Sequence, residues 1–223
     1  MFKVAIDGPS GAGKSTIAKT VASELGFVYI DTGAMYRTAA LACLRQGIDI
    51  KANPQKSIEV VNNISIDIEY IDGTQRIFLN GEDVSDQIRT PQVSMGASDV
   101  SAIGAVREKL VAFQRTLAGT KNVIMDGRDI GTHVLPDADV KIFLTASPEI
   151  RAERRHKELL EKGIDTSLEQ VFLDIKDRDR QDQTRAASPL RRADDAIEVD
   201  TSKLTFSQSV ACVSDLINNK RKV

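Results

Sequence analysis

The run Gly8-Pro9-Ser10-Gly11-Ala12-Gly13-Lys14-Ser15 matches G-x-x-x-x-G-K-[ST] in full, at the point where an apolar segment gives way to a helical pattern. Glycines let a backbone curl until several N–H groups face one anion, and the positive end of the following helix adds to that field. In such a loop Lys14 reaches the outer phosphates of a nucleoside triphosphate, and Ser15 offers a hydroxyl to Mg2+, a cation that prefers oxygen ligands. A dinucleotide-binding loop is a poorer reading. It has no role for Lys14-Ser15, and G-x-G-x-x-G is missing from the sequence.

Two further clusters could handle a second anion. Asp31-Thr32-Gly33-Ala34-Met35-Tyr36-Arg37 follows a short apolar run, and Asp126-Gly127-Arg128-Asp129 follows Val123 to Met125. Ligands bind beyond the carboxyl ends of strands in open α/β sheets, so Arg37 and Arg128 are candidates for holding phosphate, and Asp126 for organising Mg2+ directly or through water. The plainer alternative makes Asp31 or Thr32 a helix cap, Arg37 a surface residue and the DGRD run a charged turn. Several arginines and Lys14 acting together favour transfer between two phosphates, whose mutual repulsion fixed cations offset. That chemistry needs no general base, which leaves His133 and His156 as surface or hinge residues.

The elements that must position these groups are legible from periodicity. Strand-length apolar runs at Phe2 to Ile6, Phe27 to Ile30, Val123 to Met125, Lys141 to Leu144 and Ala196 to Val199 alternate with helical segments from Lys14 and over Ala34 to Arg45. This alternation predicts an α/β fold around a buried parallel sheet. Ile17, Val21, Ala22 and Leu25 form the inner face of the first helix, and Gly26 stops it. The rhythm changes where Ile64, Ile66, Ile68 and Tyr70 alternate with polar residues before Asp72-Gly73, with Arg76 to Leu79 and a second turn pair, Asn80-Gly81, beyond. These pieces predict a small antiparallel meander over about residues 62–90. Charged helices with Arg151, Arg154, Arg155, Lys176, Arg178, Arg180 and Arg185 cover about residues 148–185 and suggest a mobile lid.

Composition narrows the class. A hydrophobic share of 41% over 223 residues can bury a real core, and 30 Lys plus Arg against 32 Asp plus Glu gives no global field for nucleic acid or an anionic membrane. Neither a signal-peptide pattern nor a long apolar span is visible, so a cytoplasmic location is the expectation. Cys43 and Cys212 lack metal-site spacing and read as small helix-face hydrophobes. The basic tail Lys220-Arg221-Lys222 suits the negative end of a last helix better than an RNA contact.

GPSGAGKST, DTGAMYR, VIMDGRDIGT and the arginine-rich stretch ending RAASPL together resemble the bacterial cytidylate kinases, in order and across almost the whole chain. The resemblance implies a single P-loop kinase domain over 1–223, with a five-stranded parallel sheet flanked by helices, an antiparallel β insertion in the region that binds the nucleoside monophosphate, and a helical lid. It implies ATP as donor, bound by Gly8, Pro9, Ser10, Gly11, Ala12, Gly13, Lys14, Ser15 and Thr16, and CMP or dCMP as acceptor, with Mg2+ accompanying ATP; Ser15 and Asp126 as its ligands, Asp126 directly or through water, follow from the loop motif and the strand-end carboxylate. Thr32, Tyr36 and Arg37 match the CMP pocket. Ser98, Arg107 and Asp129 match positions that read cytosine, Arg128 and Arg185 match phosphate-binding arginines, and Arg178 and Asp182 lie by the ribose. Lys14, Arg37, Arg128 and Arg185 would then carry catalysis. Many family members have Ser in place of Thr32 and Gly in place of Ser15. A carboxylate suits cytosine because its exocyclic amine donates where uracil presents an oxygen. Read without the resemblance, Ser98 and Arg107 are ordinary polar helix faces.

Other acceptors, among them UMP, AMP, shikimate and dephospho-CoA, remain compatible with the phosphate loop, as does a regulatory P-loop switch. The guanine-specific form of such a switch carries N-K-x-D, which this chain lacks. No nucleic-acid or membrane partner is expected, and a monomer is.

Overall fold

The computed structural model describes residues 1–71 and 73–222. Strands β1 (Lys3–Asp7), β2 (Val28–Asp31), β6 (Val123–Gly127), β7 (Val140–Thr145) and β8 (Ile197–Asp200) form one sheet in the order β2-β6-β1-β7-β8. Pairing is parallel where β1 meets β6 and β7 and where β7 meets β8. Val4, Ala5, Ile6, Val123, Ile124, Met125, Ile142 and Leu144 are buried on the central strands. Continuously apolar strands are what a sheet covered on both faces requires.

The chain resolves into two compact units, Met1–Val28 with Asn122–Val223, and Tyr29–Lys121. In the first, α1 (Lys14–Leu25) buries Ile17, Ala18, Val21 and Ala22 and stops at Gly26, whose φ of 68° suits glycine. The helices α6 (Pro148–Glu161) and α7 (Leu168–Thr184) form a hairpin with its own small core of Ala152, Leu159, Val171 and Ile175, flanked by Ile164 and Phe172. The last helix, α8 (Phe206–Arg221), opens with a capping box from Thr205 and Gln208 and ends on Lys220 and Arg221.

In the second unit, α2 (Thr32–Arg45), α3 (Pro54–Asn62), α4 (Pro91–Ser101) and α5 (Gly104–Leu117) accompany a three-stranded antiparallel sheet of β3 (Ile66–Ile71), β4 (Thr74–Leu79) and β5 (Glu82–Asp83). The expected meander is present. Asn80 and Gly81 take φ of 51° and 83°, the pair of left-handed residues that a two-residue hairpin loop demands, and Leu79 pairs with Glu82 across it. Asp72 of the other expected turn lies outside the described residues. A side chain at Gly96 of α4 would press on Ala40 and Leu44 of α2 at 3.2 and 3.5 Å and on Ile50 beyond it at 3.3 Å, which explains the close approach of α4. No described helix is long and apolar enough to cross a membrane.

Candidate active site

The phosphate loop joins β1 to α1. Any Cβ at Gly8 would lie 1.9 Å from the Leu144 carbonyl oxygen of β7, and Gly13 caps α1 with φ of 89°, so both glycines are sterically required. Lys14 is buried, with Nζ donating to the Pro9 carbonyl at 2.7 Å. Burial, with the Arg128 guanidinium second, pulls its ammonium well below the ordinary lysine range, against Asp126, Asp182 and Asp7. A polyphosphate beside it would reverse that direction. Ser15 Oγ donates to Asp126 Oδ2 at 2.7 Å, so the loop's hydroxyl and the carboxylate at the end of β6 are adjacent. This all-oxygen pair fits a hard divalent cation. Among the described residues no group of three or more His, Cys, Asp or Glu could hold a metal. A cation at Ser15 and Asp126 would therefore complete its shell with phosphate oxygens and water.

The far end of α7 supplies the counterpart. Arg178, Asp182 and Arg185 recur at helical spacing there, which turns them to one side. Arg128 Nε donates to Asp182 Oδ2 at 2.9 Å, and Arg185 approaches Asp182 and Asp129 at 3.9 and 3.8 Å. Burial would raise the Asp182 carboxyl, yet Arg128, Arg178 and Arg185 outweigh it and hold the group below its ordinary value. Arg128, Asp129, Asp182, Arg185 and Lys14 thus belong to one network of alternating charge. The side chains of Arg185 and Asp129 are 4% and 6% exposed, far from a charged turn in solvent.

Two features of this unit go beyond the sequence reading, the role of Asp7 and the partners of the lid arginine Arg151. Asp7, the residue before the loop, is buried and accepts from Ile130 N and Gly131 N, both at 2.7 Å. Burial pushes its carboxyl up to about 6, with Asp129 adding to the rise and Lys14 and the two N–H groups opposing it. Its place at a strand end beside Gly8 was the only available signal. Arg151 turns inward, paired with both carboxylate oxygens of Asp179 at 3.0 and 2.6 Å and donating to Ser10 O and Ala146 O. It ties α6 to α7 and to the loop. Arg154 donates to Thr201, and Arg155 pairs with Glu158.

The second unit holds Thr32, Tyr36, Arg37, Ser98 and Arg107. Asp31 caps α2 by accepting from Ala34 N at 2.9 Å and pairs with Arg37 Nη2 at 2.7 Å, a bridge with 18% and 11% side-chain exposure for Arg37 and Asp31. Asp31 is thus both cap and counter-ion, and Arg37 is not a surface residue. Burial would raise the Asp31 carboxyl, but Arg37 leads the groups that bring it below its ordinary value. Arg107 lies over the Tyr36 ring with its guanidinium carbon 5.5 Å from the centroid. Ser98 and Arg107 are 8% and 3% exposed, so the ordinary-helix-face reading of both does not hold. Ser98 Oγ and Arg37 Nε are buried with no hydrogen-bond partner among the described residues, as groups awaiting a polar ligand would be.

Comparison with known proteins agrees with this arrangement. Residues 4–219 match the family model described as cytidylate kinase. The chain is 53% identical over 217 residues to a cytidylate kinase of Bacillus cereus strain B4264, covering 97% of this chain and 96% of that protein. A cytidylate kinase of Bacillus thuringiensis strain Al Hakam is 52% identical with the same coverage. Among solved structures, a shikimate kinase from Bacteroides thetaiotaomicron aligns over 97% of this chain and 98% of that one, with a TM-score of 0.50 and 13% identity, a likeness of fold alone. With the phosphate loop, its paired hydroxyl and carboxylate and the arginine network in place, the chain belongs to the cytidylate kinase family.

Proposed function

We propose that the protein transfers the γ-phosphate of ATP to CMP or dCMP, giving ADP and CDP or dCDP. Family membership over nearly the whole chain is the observation that carries this reading. We assign ATP to residues 8–16, Gly8 through Thr16, with Lys14 facing the transferred phosphate. A divalent cation, which we take to be Mg2+ held by Ser15 and Asp126, would supply neutralisation of the phosphate oxygens. Arg37, Arg128 and Arg185 hold the phosphates and offset their repulsion, so the reaction is driven by position and charge with no general base. Thr32 and Tyr36 shape the acceptor site, and Arg178 and Asp182 stand by the ribose. Asp129 and Ser98 accept from the cytosine amine while Arg107 donates to its ring acceptors. A buried site built this way rejects uracil, because a mismatch leaves groups on both sides desolvated and unpaired.

The domain reading is one kinase domain over 1–223, with an acceptor-binding insertion near 62–90 and a lid near 148–185. The separate apolar core of the α6–α7 hairpin supports the lid assignment, since a segment with its own core can move as a body. We further propose a cytoplasmic monomer whose partners are its two nucleotides, with neither nucleic acid nor membrane. A coupled assay of ADP release over CMP, dCMP, UMP, AMP and shikimate tests the substrate reading. CMP and dCMP should lead the panel, and faster turnover of any other acceptor refutes it.

A further inference from the structure

The loop after β6 ends in a wide helical turn, Ile130–Val134, with bonds from Val134 N to Asp129 O at 3.1 Å and Leu135 N to Ile130 O at 2.7 Å. The first N–H groups of any helical turn lack partners inside it, and the residue at the cap normally supplies one from its own side chain. Here that residue is Asp129, and its side chain does not cap. Asp7 does so instead from the end of β1, one carboxylate oxygen to Ile130 N and the other to Gly131 N, each at 2.7 Å. The two bonds cross 123 and 124 positions of sequence and are buried. Gly131 belongs to the same device, because a Cβ there would meet Lys141 Cδ at 3.1 Å and Asp7 Oδ2 at 3.4 Å.

We propose that Asp7 is a positioning residue for base selection: by capping the Ile130–Val134 turn in place of Asp129, it fixes the backbone from which Asp129 reads cytosine and releases the Asp129 carboxylate from that structural task. Charge-assisted bonds to two consecutive amides set both position and orientation of the peptide, which one neutral contact could not do. The Asp7 carboxylate also lies close enough to Asp129 and Lys14 to interact electrostatically with each. Loss of its charge therefore lowers turnover of every acceptor through Lys14, while the ratio between acceptors reports on Asp129. This inference rests on the assignment of Asp129 to cytosine.

The test compares kcat/KM for CMP and UMP in Asp7→Asn, Gly131→Ala, Asp129→Ala and Asp7→Asn/Asp129→Ala, with melting temperature measured alongside. Asn can accept from one amide only, and its NH2 opposes the other, so the CMP-to-UMP ratio should fall on the order of tenfold in Asp7→Asn. Gly131→Ala should move the ratio in the same direction, which keeps a result available if Asp7→Asn does not fold. In the double variant the ratio should equal that of Asp129→Ala alone, since a positioning residue has nothing left to position. If Asp129→Ala collapses the ratio while Asp7→Asn and Gly131→Ala lower both substrates equally, Asp7 is only structural and the inference is overturned. If Asp129→Ala leaves the ratio unchanged, the cytosine assignment itself fails and takes the inference with it.

Discussion

Arg37→Met separates the acceptor-binding role of Arg37 from its structural one. The substitution keeps an unbranched stem and removes a guanidinium whose Nη2 sits 2.7 Å from Asp31 Oδ2. For CMP it deletes a charge-assisted phosphate contact of about 1.5–3 kcal/mol, or roughly ten- to 150-fold in kcat/KM. For the fold it leaves the Asp31 carboxylate, 11% exposed, without its main counter-ion but still bonded to Ala34 N. That cost is about 1–2 kcal/mol, below the loss for a fully buried pair, and lowers Tm by about 2–4 °C per kcal/mol. Asp31→Asn in the same chain removes the stranded charge and can still cap α2 through its carbonyl oxygen. The single variant should lose both melting temperature and CMP turnover with KM for ATP unchanged, and the double variant should regain melting temperature alone. Recovery of CMP kinetics together with stability in the double variant would show that Arg37 serves the fold and would refute the phosphate assignment.

Lys14→Ala should lower kcat on the order of 10²–10³-fold with the fold retained, because the ammonium acts on developing phosphate charge and its hydrogen bond is to a loop carbonyl; near-normal turnover by the folded variant removes Lys14 from the mechanism. Residues 148–185 should gain hydrogen-exchange protection when a bisubstrate analogue joining the two nucleotides is added, and equal exchange with and without it contradicts the lid. Asp182 has a folded-state carboxyl below its ordinary value of 3.8, so its stabilisation is complete above that value and lost as pH falls through the folded one. Asp182→Asn should therefore melt below wild type at neutral pH, with the gap narrowing under acid below pH 3.8, and a gap independent of pH would dissociate Asp182 from its arginines.

Local chemistry was the legible part of this molecule. Gly8, Gly13 and Lys14 announce an anion loop because steric need and charge are written at fixed offsets, and Asn80-Gly81 announces its hairpin because few residue pairs accept two left-handed conformations. The parallel class of the sheet follows from its apolar runs, but the order β2-β6-β1-β7-β8 depends on crossovers that leave no local trace. Long-range pairings were equally silent. Asp7 finds its amides 123 and 124 residues away, and Arg151, legible only as one of several lid arginines, finds Asp179 28 positions away once α6 and α7 fold together. Ser98 and Arg107 became candidates through the resemblance of the whole chain, since a polar residue on an amphipathic helix carries no mark of which way it turns.

Phosphoryl transfer can be followed with ATP carrying 32P at the γ-position in the presence of CMP. Label should appear in the terminal phosphate of CDP, with unlabelled ADP formed in equal amount and little release when CMP is omitted. Label appearing as inorganic phosphate at a rate indifferent to CMP would contradict it and identify a hydrolytic switch.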